Sequence, residues 1–241
     1  MKKIILLLVF MTGIVVKNTA QVANEVFDAY FKATGGIELW KQVKTYTIKQ
    51  SFVSNAASDY DLELKASIPD ASILKTKQIM KRNFIYVVSP TDAFYKIPTG
   101  SRDKTIIYQV RNLSEKEKLN MRREILDLFS PVFNHAEKGY IATFIGLETL
   151  EGEITQHVEL NGKDIKFNLY FSKATGLLKK MIERLPTGEV ITEEYTTYTT
   201  SDFGIRYPSS GTYYSSIDKR NVKLTTAISY NEPIEASAFK R

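Results

Sequence analysis

Two segments, Ser101-Arg102-Asp103-Lys104 and Ser216-Ile217-Asp218-Lys219, carry the S-x-x-K spacing in which a lysine one helical turn along shares a nucleophilic serine's proton. That chemistry needs the serine at a helix start, with S-D-N and K-T-G companions, and the chain contains neither companion. Both segments read as loops. Asp202-Phe203-Gly204 spells the metal-holding tripeptide of kinases, but no glycine-rich phosphate loop or H-R-D segment accompanies it, so it reads as a turn after a strand. Glu193 and Glu194 suggest paired carboxylates for glycoside hydrolysis. Neighbours on a strand point to opposite faces, so the two do not flank one bond. His135 and His157 are the only histidines and there is no cysteine, which excludes a histidine-rich or thiolate metal site. Either imidazole would serve as a general base, yet no nucleophile goes with it; His157 alternates with Val158 on a predicted strand and is expected to face solvent. The expectation is a protein without enzymatic activity, cofactor or metal.

The strongest single signal is at the start. Lys2 and Lys3 precede an apolar run from Ile4 to Phe10 that continues through Ile14 to Val16, followed by Asn18-Thr19-Ala20. A positive start, a short apolar middle and a small residue read as a secretory signal over residues 1–20, too short for a comfortable membrane span. The mature chain of residues 21–241 is then expected in the periplasm, with secretion to the medium as the lesser reading. Lys2, Lys3 and Lys17 leave with the signal, which lowers the formal net charge from +6 to +3. Such weak, dispersed basicity does not suggest a nucleic-acid partner. Without cysteine the exported chain relies on its core, and its length suffices for one. No Pro-, Gly- or Ser-rich linker interrupts residues 21–241, so a single domain is expected.

The elements follow from periodicity. Ala23, Val26, Phe27, Tyr30 and Phe31 share one face at helical spacing, and Gly35-Gly36 stop the run. The period then becomes two: Tyr46, Ile48, Gln50 and Phe52 alternate with polar residues. So do Tyr60, Leu62, Leu64, Ala66 and Ile68, the pattern of an antiparallel sheet with one wet face. Further strands are expected at 73–81, 84–89, 93–97 and 105–110. Ser114 and Glu117 form an S-x-x-E capping box, and Met121, Ile125, Leu128 and Val132 make one apolar stripe on a second helix. Asn161-Gly162 signals a hairpin between 154–160 and 165–171, with more turns at 174–176 and 186–188. The last strands are expected near 190–200, 205–215 and 222–230. The fold class is therefore mainly β (α+β): a single curved antiparallel sheet, an open half-barrel of about ten strands with two covering helices.

Several dispersed segments carry a family likeness. They are Tyr30-Phe31-Lys32-Ala33-Thr34-Gly35-Gly36 with Trp40 and the strand 43–52; Gly146-Leu147-Glu148 and Glu151-Gly152; the run 169–178; Gly204-Ile205-Arg206-Tyr207-Pro208; and Asn231-Glu232-Pro233-Ile234 with Phe239. In their order and spacing the chain resembles the outer-membrane lipoprotein-sorting (LolA/LolB-like) superfamily, in the form found in exported proteins of the Bacteroidota. The resemblance implies a β half-barrel over residues 21–241 around an apolar cavity that receives a lipid or an acylated polypeptide. Envelope proteins and transient membrane contact are the other partners it implies.

Fourteen Tyr and thirteen Phe exceed what a plain core requires. They suit both cross-strand pairing and an aromatic-lined cavity for alkyl chains. The residues expected to line the cavity are Trp40, Phe52, Leu64, Phe84, Tyr86, Met121, Ile125, Leu128 and Phe129, with those on the second helix forming a lid. Two alternatives stay open: an envelope scaffold or accessory module of the same fold with a filled cavity, and a secreted hydrolase, for which the sequence offers no acid and base set.

Overall fold

Alternating apolar and polar residues build strands here almost throughout. In the computed structural model, which describes residues 19–56, 59–100 and 105–241, they join into a 13-stranded sheet. The order is β6-β5-β4-β3-β2-β1-β13-β12-β11-β10-β9-β8-β7. The strands are β1 Thr45–Val53, β2 Tyr60–Ser67, β3 Ser72–Ile79, β4 Arg82–Val88, β5 Ala93–Thr99, β6 Ile107–Asn112, β7 Ile141–Leu150, β8 Glu153–Asn161, β9 Lys166–Ser172, β10 Leu178–Arg184, β11 Val190–Thr200, β12 Arg206–Ser215 and β13 Asn221–Tyr230. Every neighbour is a sequence neighbour except β1 with β13, which pair antiparallel from Tyr46↔Tyr230 to Val53↔Lys223. The sheet is unclosed, because β6 and β7 each have one neighbour. Helices are α1 over 19–33, α2 Ile37–Lys41 and α3 Glu115–Asp127, and a 3-10 turn spans Ala236–Phe239. No helix among the described residues is long and apolar enough to cross a membrane.

The mainly β class agrees with the sequence; two counts do not. Among the described residues there are thirteen strands rather than about ten, and three α-helices rather than two. β7 carries little alternation, because a bulge between Phe144 and Gly146 shifts its register against β8 and its edge position leaves most of it exposed. α2 is five residues long, too short for a helical period to register. The proposed signal over residues 1–20 lies almost wholly outside the described residues, as does Ser101–Lys104.

The chain divides into two compact units. One comprises the described residues up to Ile37 with Asn134–Glu194 and Tyr214–Lys219. In it α1 buries Ala23, Val26, Phe27, Tyr30 and Phe31, as its spacing predicts. Phe27 and Tyr30 set their rings edge-on to Phe171 of β9, at 5.9 and 5.4 Å. Val158, Leu160, Phe167 and Leu169 complete that core. The helix stops where the Thr34 hydroxyl donates to the Tyr30 carbonyl and Gly36 N–H to that of Phe31. Gly176, in the turn between β9 and β10, has φ +74° and lies under α1, where an added Cβ would be 2.8 Å from the Ala29 carbonyl oxygen. Only glycine fits both demands.

The second unit comprises Glu38–Phe133, Tyr195–Tyr213 and Arg220–Arg241. In it α3 packs against β3 and β4. Its cap is the one the sequence announced: the Ser114 hydroxyl accepts from Glu117 N–H, and the Glu117 carboxylate accepts from Ser114 N–H. After β13, Asn231 turns the chain at φ 58° and its side chain accepts from the Lys44 N–H at 2.8 Å. The C-terminal segment then buries Phe239 with Val87 and Phe94 on the face of the sheet opposite α3.

Gly176→Ala is expected to cost about 2 kcal/mol or more of unfolding free energy, since left-handed strain adds to the close contact. Gly188→Ala is the comparison: at φ +87° it meets nothing within 4 Å, so it should lose only about 1 kcal/mol. Urea unfolding of both variants measures the difference.

Candidate functional site

Register decides which side chains share a face, because paired residues in an antiparallel ladder point the same way. In the second unit, Tyr46 pairs with Ala66, Ala66 with Ile73 and Ile73 with Val88. All four are buried. The Tyr46 hydroxyl donates to the Ile125 carbonyl at 2.6 Å, so this row lies beneath α3. Burial, then the Glu124 and Asp127 carboxylates, pushes the Tyr46 phenol far above its ordinary range, and it stays a donor throughout. Around it stands an aromatic nest. Phe129 lies 5.1 Å from Trp40, 5.5 Å from Tyr46, 5.4 Å from Phe133 and 6.3 Å from Tyr230 by ring centroid.

One row further along the strands come Ile48, Leu64, Lys75, Tyr86 and Tyr95. Lys75 reaches up to Glu124 of α3 at 2.8 Å, and Arg111 to Glu117 at 2.7 Å while lying over the Tyr95 ring. Tyr86 and Tyr95 stack at 5.3 Å. The third row holds Gln50, Leu62, Lys77 and Phe84, all half-buried. The fourth holds Phe52 stacked on Tyr60 at 4.4 Å, packed with Val222, Leu224 and Tyr213. The face therefore runs about 20 Å from Tyr46 to Phe52. It is roofed by α3 at one end, and its half-buried apolar side chains lie along the middle.

The nine expected cavity residues separate into three groups. Trp40, Leu64, Met121, Ile125 and Phe129 are buried in or beside the nest, and Phe52 is buried in the cluster at the far end. Phe84 and Tyr86 are half-buried on the face between. Leu128 is the C-cap of α3 and 40% exposed, off the inner stripe expected for it. Tyr46, Phe133, Tyr230, Lys75 and Glu124 belong to the site but were not singled out. Their spacing along the chain carries no signal: Tyr46 meets α3 from 79 residues away. Two clefts of about 510 and 500 Å³ lie on the opposite face. Lys49, Asp61, Glu63, Thr76 and Gln78 line the first together with Leu62 and Ala227, and Lys65, Glu232 and Glu235 line the second together with Ile228, Pro233 and Ile234.

The other candidates resolve plainly. His157 is buried rather than solvent-facing. Its Nδ1 meets Glu148 at 2.6 Å, its Nε2 meets Asn168 Oδ1 at 3.0 Å, and its ring stacks on Tyr170 at 4.4 Å. His135 sets its ring edge-on to Phe27. Glu194 pairs with Lys180 at 2.7 Å while its neighbour Glu193 occupies the next register position, opposite Met181. Ser216 sits in the turn after β12, where its hydroxyl accepts from Val190 N–H; no helix begins there. Asp202-Phe203-Gly204 forms the turn between β11 and β12. Among the described residues no group of three or more His, Asp or Glu is placed to hold a metal ion.

Two solved structures share this fold. A protein domain from Vibrio parahaemolyticus described as outer-membrane lipoprotein-sorting aligns over 93% of this chain and 97% of its own, with a TM-score of 0.52 at 11% identity. A LolA superfamily protein from Nitrosomonas europaea aligns over 92% and 98%, with a TM-score of 0.50 at 12% identity. At these identities the likeness is one of fold. No family model matches the chain, and no curated relative matches its sequence.

Tyr46→Phe removes the donor that holds the last turn of α3. It is expected to lower unfolding free energy by about 1–2 kcal/mol in urea and to raise amide exchange across α3. The pH response comes from the other end of the helix. Hydrogen bonds from the Ser114 N–H and hydroxyl, with the Arg111 guanidinium beside it, hold the Glu117 carboxyl below the usual carboxylate range. A carboxyl lowered in the folded state stabilises above its unfolded pKa and loses that contribution as pH falls through the folded one. Exchange protection in the first turn of α3, corrected for intrinsic rate, should hold down to about pH 5 and decline below about pH 4. In Glu117→Gln the decline should be smaller, with Glu115, which Lys118 also holds low, as the carboxyl left in that turn.

Proposed function

We propose that this chain is an exported, non-enzymatic carrier that holds an acyl chain, of a lipid or of an acylated lipoprotein, along the α3-side face of the sheet in the second unit. The observation that carries the reading is the run of half-buried apolar side chains, Leu62 and Phe84 with Tyr86 one row away, on a face that α3 roofs at one end. A chain of fourteen to sixteen carbons laid there removes apolar area worth about 10 kcal/mol before ordering costs, at about 0.8 kcal/mol per methylene. The fold shared with lipoprotein-sorting proteins supports the same reading. In it, residues 1–20 direct export, residues 21–241 act as one domain in the periplasm, and α3 is the part that yields when a chain enters. Leu128 and Phe129 follow the helix and would move with it.

A second reading is an envelope scaffold that binds protein through its surface. It is favoured by the close packing of Trp40, Leu64, Met121, Ile125 and Phe129, which leaves the roofed end filled.

Native mass spectrometry of the protein purified from its own periplasm distinguishes the two. The carrier reading expects a bound mass of lipid size that extracts into solvent and is lost in Leu62→Asp and Phe84→Asp. A clean apo mass that persists after incubation with phospholipid and with acylated peptide supports the scaffold.

A further inference from the structure

The far end of the second unit, opposite the roof, gathers a second kind of surface. Register places its parts together: Val53 pairs with Lys223, Phe52 with Tyr60, Tyr60 with Ile79, Ile79 with Arg82 and Thr99 with Ile107. Arg82 donates to the Gly100 carbonyl at 2.7 Å, which ties the turn between β3 and β4 to the end of β5. At this one end Val53, Met80, Ile106 and Ile107 are exposed, Met80 by 49% and Ile107 by 67%. Four cations stand among them: Lys81 and Lys223, both exposed, with Arg82 and Arg220. Arg82 and Arg220 bond to neutral oxygens, a carbonyl and the Ser54 hydroxyl, so neither charge is neutralised by its partner. Two acids stand beside them, the half-buried Asp59 and the exposed Asp61, which leaves the four cations in excess. Asp59 accepts from the Ser54 and Ala56 N–H groups, and Asp61 from the Ser51 hydroxyl.

The turn at the tip is a second, independent observation. Met80 and Lys81 both have positive φ, 49° and 64°, in a two-residue hairpin connection. Asn-Gly is the sequence that such a turn accepts without strain. A long thioether and a long amine held there against backbone preference mark a position kept for what its side chains reach.

We propose that this rim docks the protein on an anionic phospholipid surface. Val53, Met80, Ile106 and Ile107 would enter the headgroup layer, and Lys81, Arg82, Arg220 and Lys223 would meet the phosphates. The docking itself does not depend on the carrier reading. Its use does: the rim stands where the half-buried row of Leu62 and Phe84 runs out, so a chain held on that face would lie next to the bilayer.

Vesicle flotation tests it, with the mature protein and vesicles of phosphatidylcholine alone or mixed with phosphatidylglycerol. The protein should float with the anionic vesicles only and be released as salt rises. Lys81→Glu/Lys223→Glu should weaken partitioning by about fivefold or more for each cation removed, and Lys173→Glu, in the other unit, should leave it unchanged. Met80→Asn/Lys81→Gly separates docking from folding, because it should raise the melting temperature while lowering partitioning. Equal flotation on neutral and anionic vesicles, no flotation, or wild-type partitioning of Lys81→Glu/Lys223→Glu would overturn the proposal. Bound acyl mass, read on the same preparations, keeps the two readings apart. Loss of cargo in Phe84→Asp bears on the carrier alone, and loss of flotation in the rim variants with cargo retained bears on the rim alone.

Discussion

A phenol that is wholly buried must find an acceptor, and in the second unit that requirement is met by one bond, from Tyr46 to the carbonyl of Ile125. Much else follows from it. The acceptor is in the last turn of α3, where carbonyls lack partners within the helix, so one contact satisfies an orphan at each end. It seats the helix over β1. The residues that follow the helix, Phe129 and Phe133, are then packed around Trp40. The ion pair from Arg111 acts on the first turn of α3 and is half exposed, so it orients the helix more than it holds it, while Lys75 pairs with Glu124 beside the Tyr46 contact.

The same face changes character along the strands. Beneath α3 it is buried and aromatic; in the middle Lys75 and Lys77 stand among Leu62, Leu64, Phe84 and Tyr86. Two lysines on a face that faces a helix are unexpected for a closed core. They are accommodated because their stems lie along apolar surface while their heads find a carboxylate above, for Lys75, and the ring of Tyr60, for Lys77. The opposite face is no simple wet surface either: where Val87 and Phe94 turn outward, the C-terminal segment covers them with Ile234 and Phe239.

Local signals were the legible ones. The alternation of β2, the Ser114 and Glu117 cap, the five-residue face of α1 and the Asn161-Gly162 turn all depend on residues within a few positions of one another, and all appear where the sequence put them. β7 was hidden because a bulge breaks its period and an edge strand needs no apolar alternation. Leu128 continued the helical stripe on paper, but the helix ends at Asp127 and the chain turns there. His157 was misplaced because its partners are strand neighbours in space, nine and eleven residues away, and a charged or amide partner can bury an imidazole on either face. Of the residues named for the cavity, all but Leu128 are buried or half-buried. Which are packed and which are half open is set by where α3 sits, and that is fixed by Tyr46, seventy-nine residues distant.

The pairing of β1 with β13 has a consequence for how the chain is made. β1 is complete at Val53, but its second neighbour, β13, spans only Asn221–Tyr230. A chain emerging from a ribosome or a membrane channel therefore completes the long meander from β2 to β12 while one side of its first strand still has no partner. Pairings so distant in sequence form slowly, and a strand left waiting is open to wrong ones. The emergence of β13 decides when the first strand is safe.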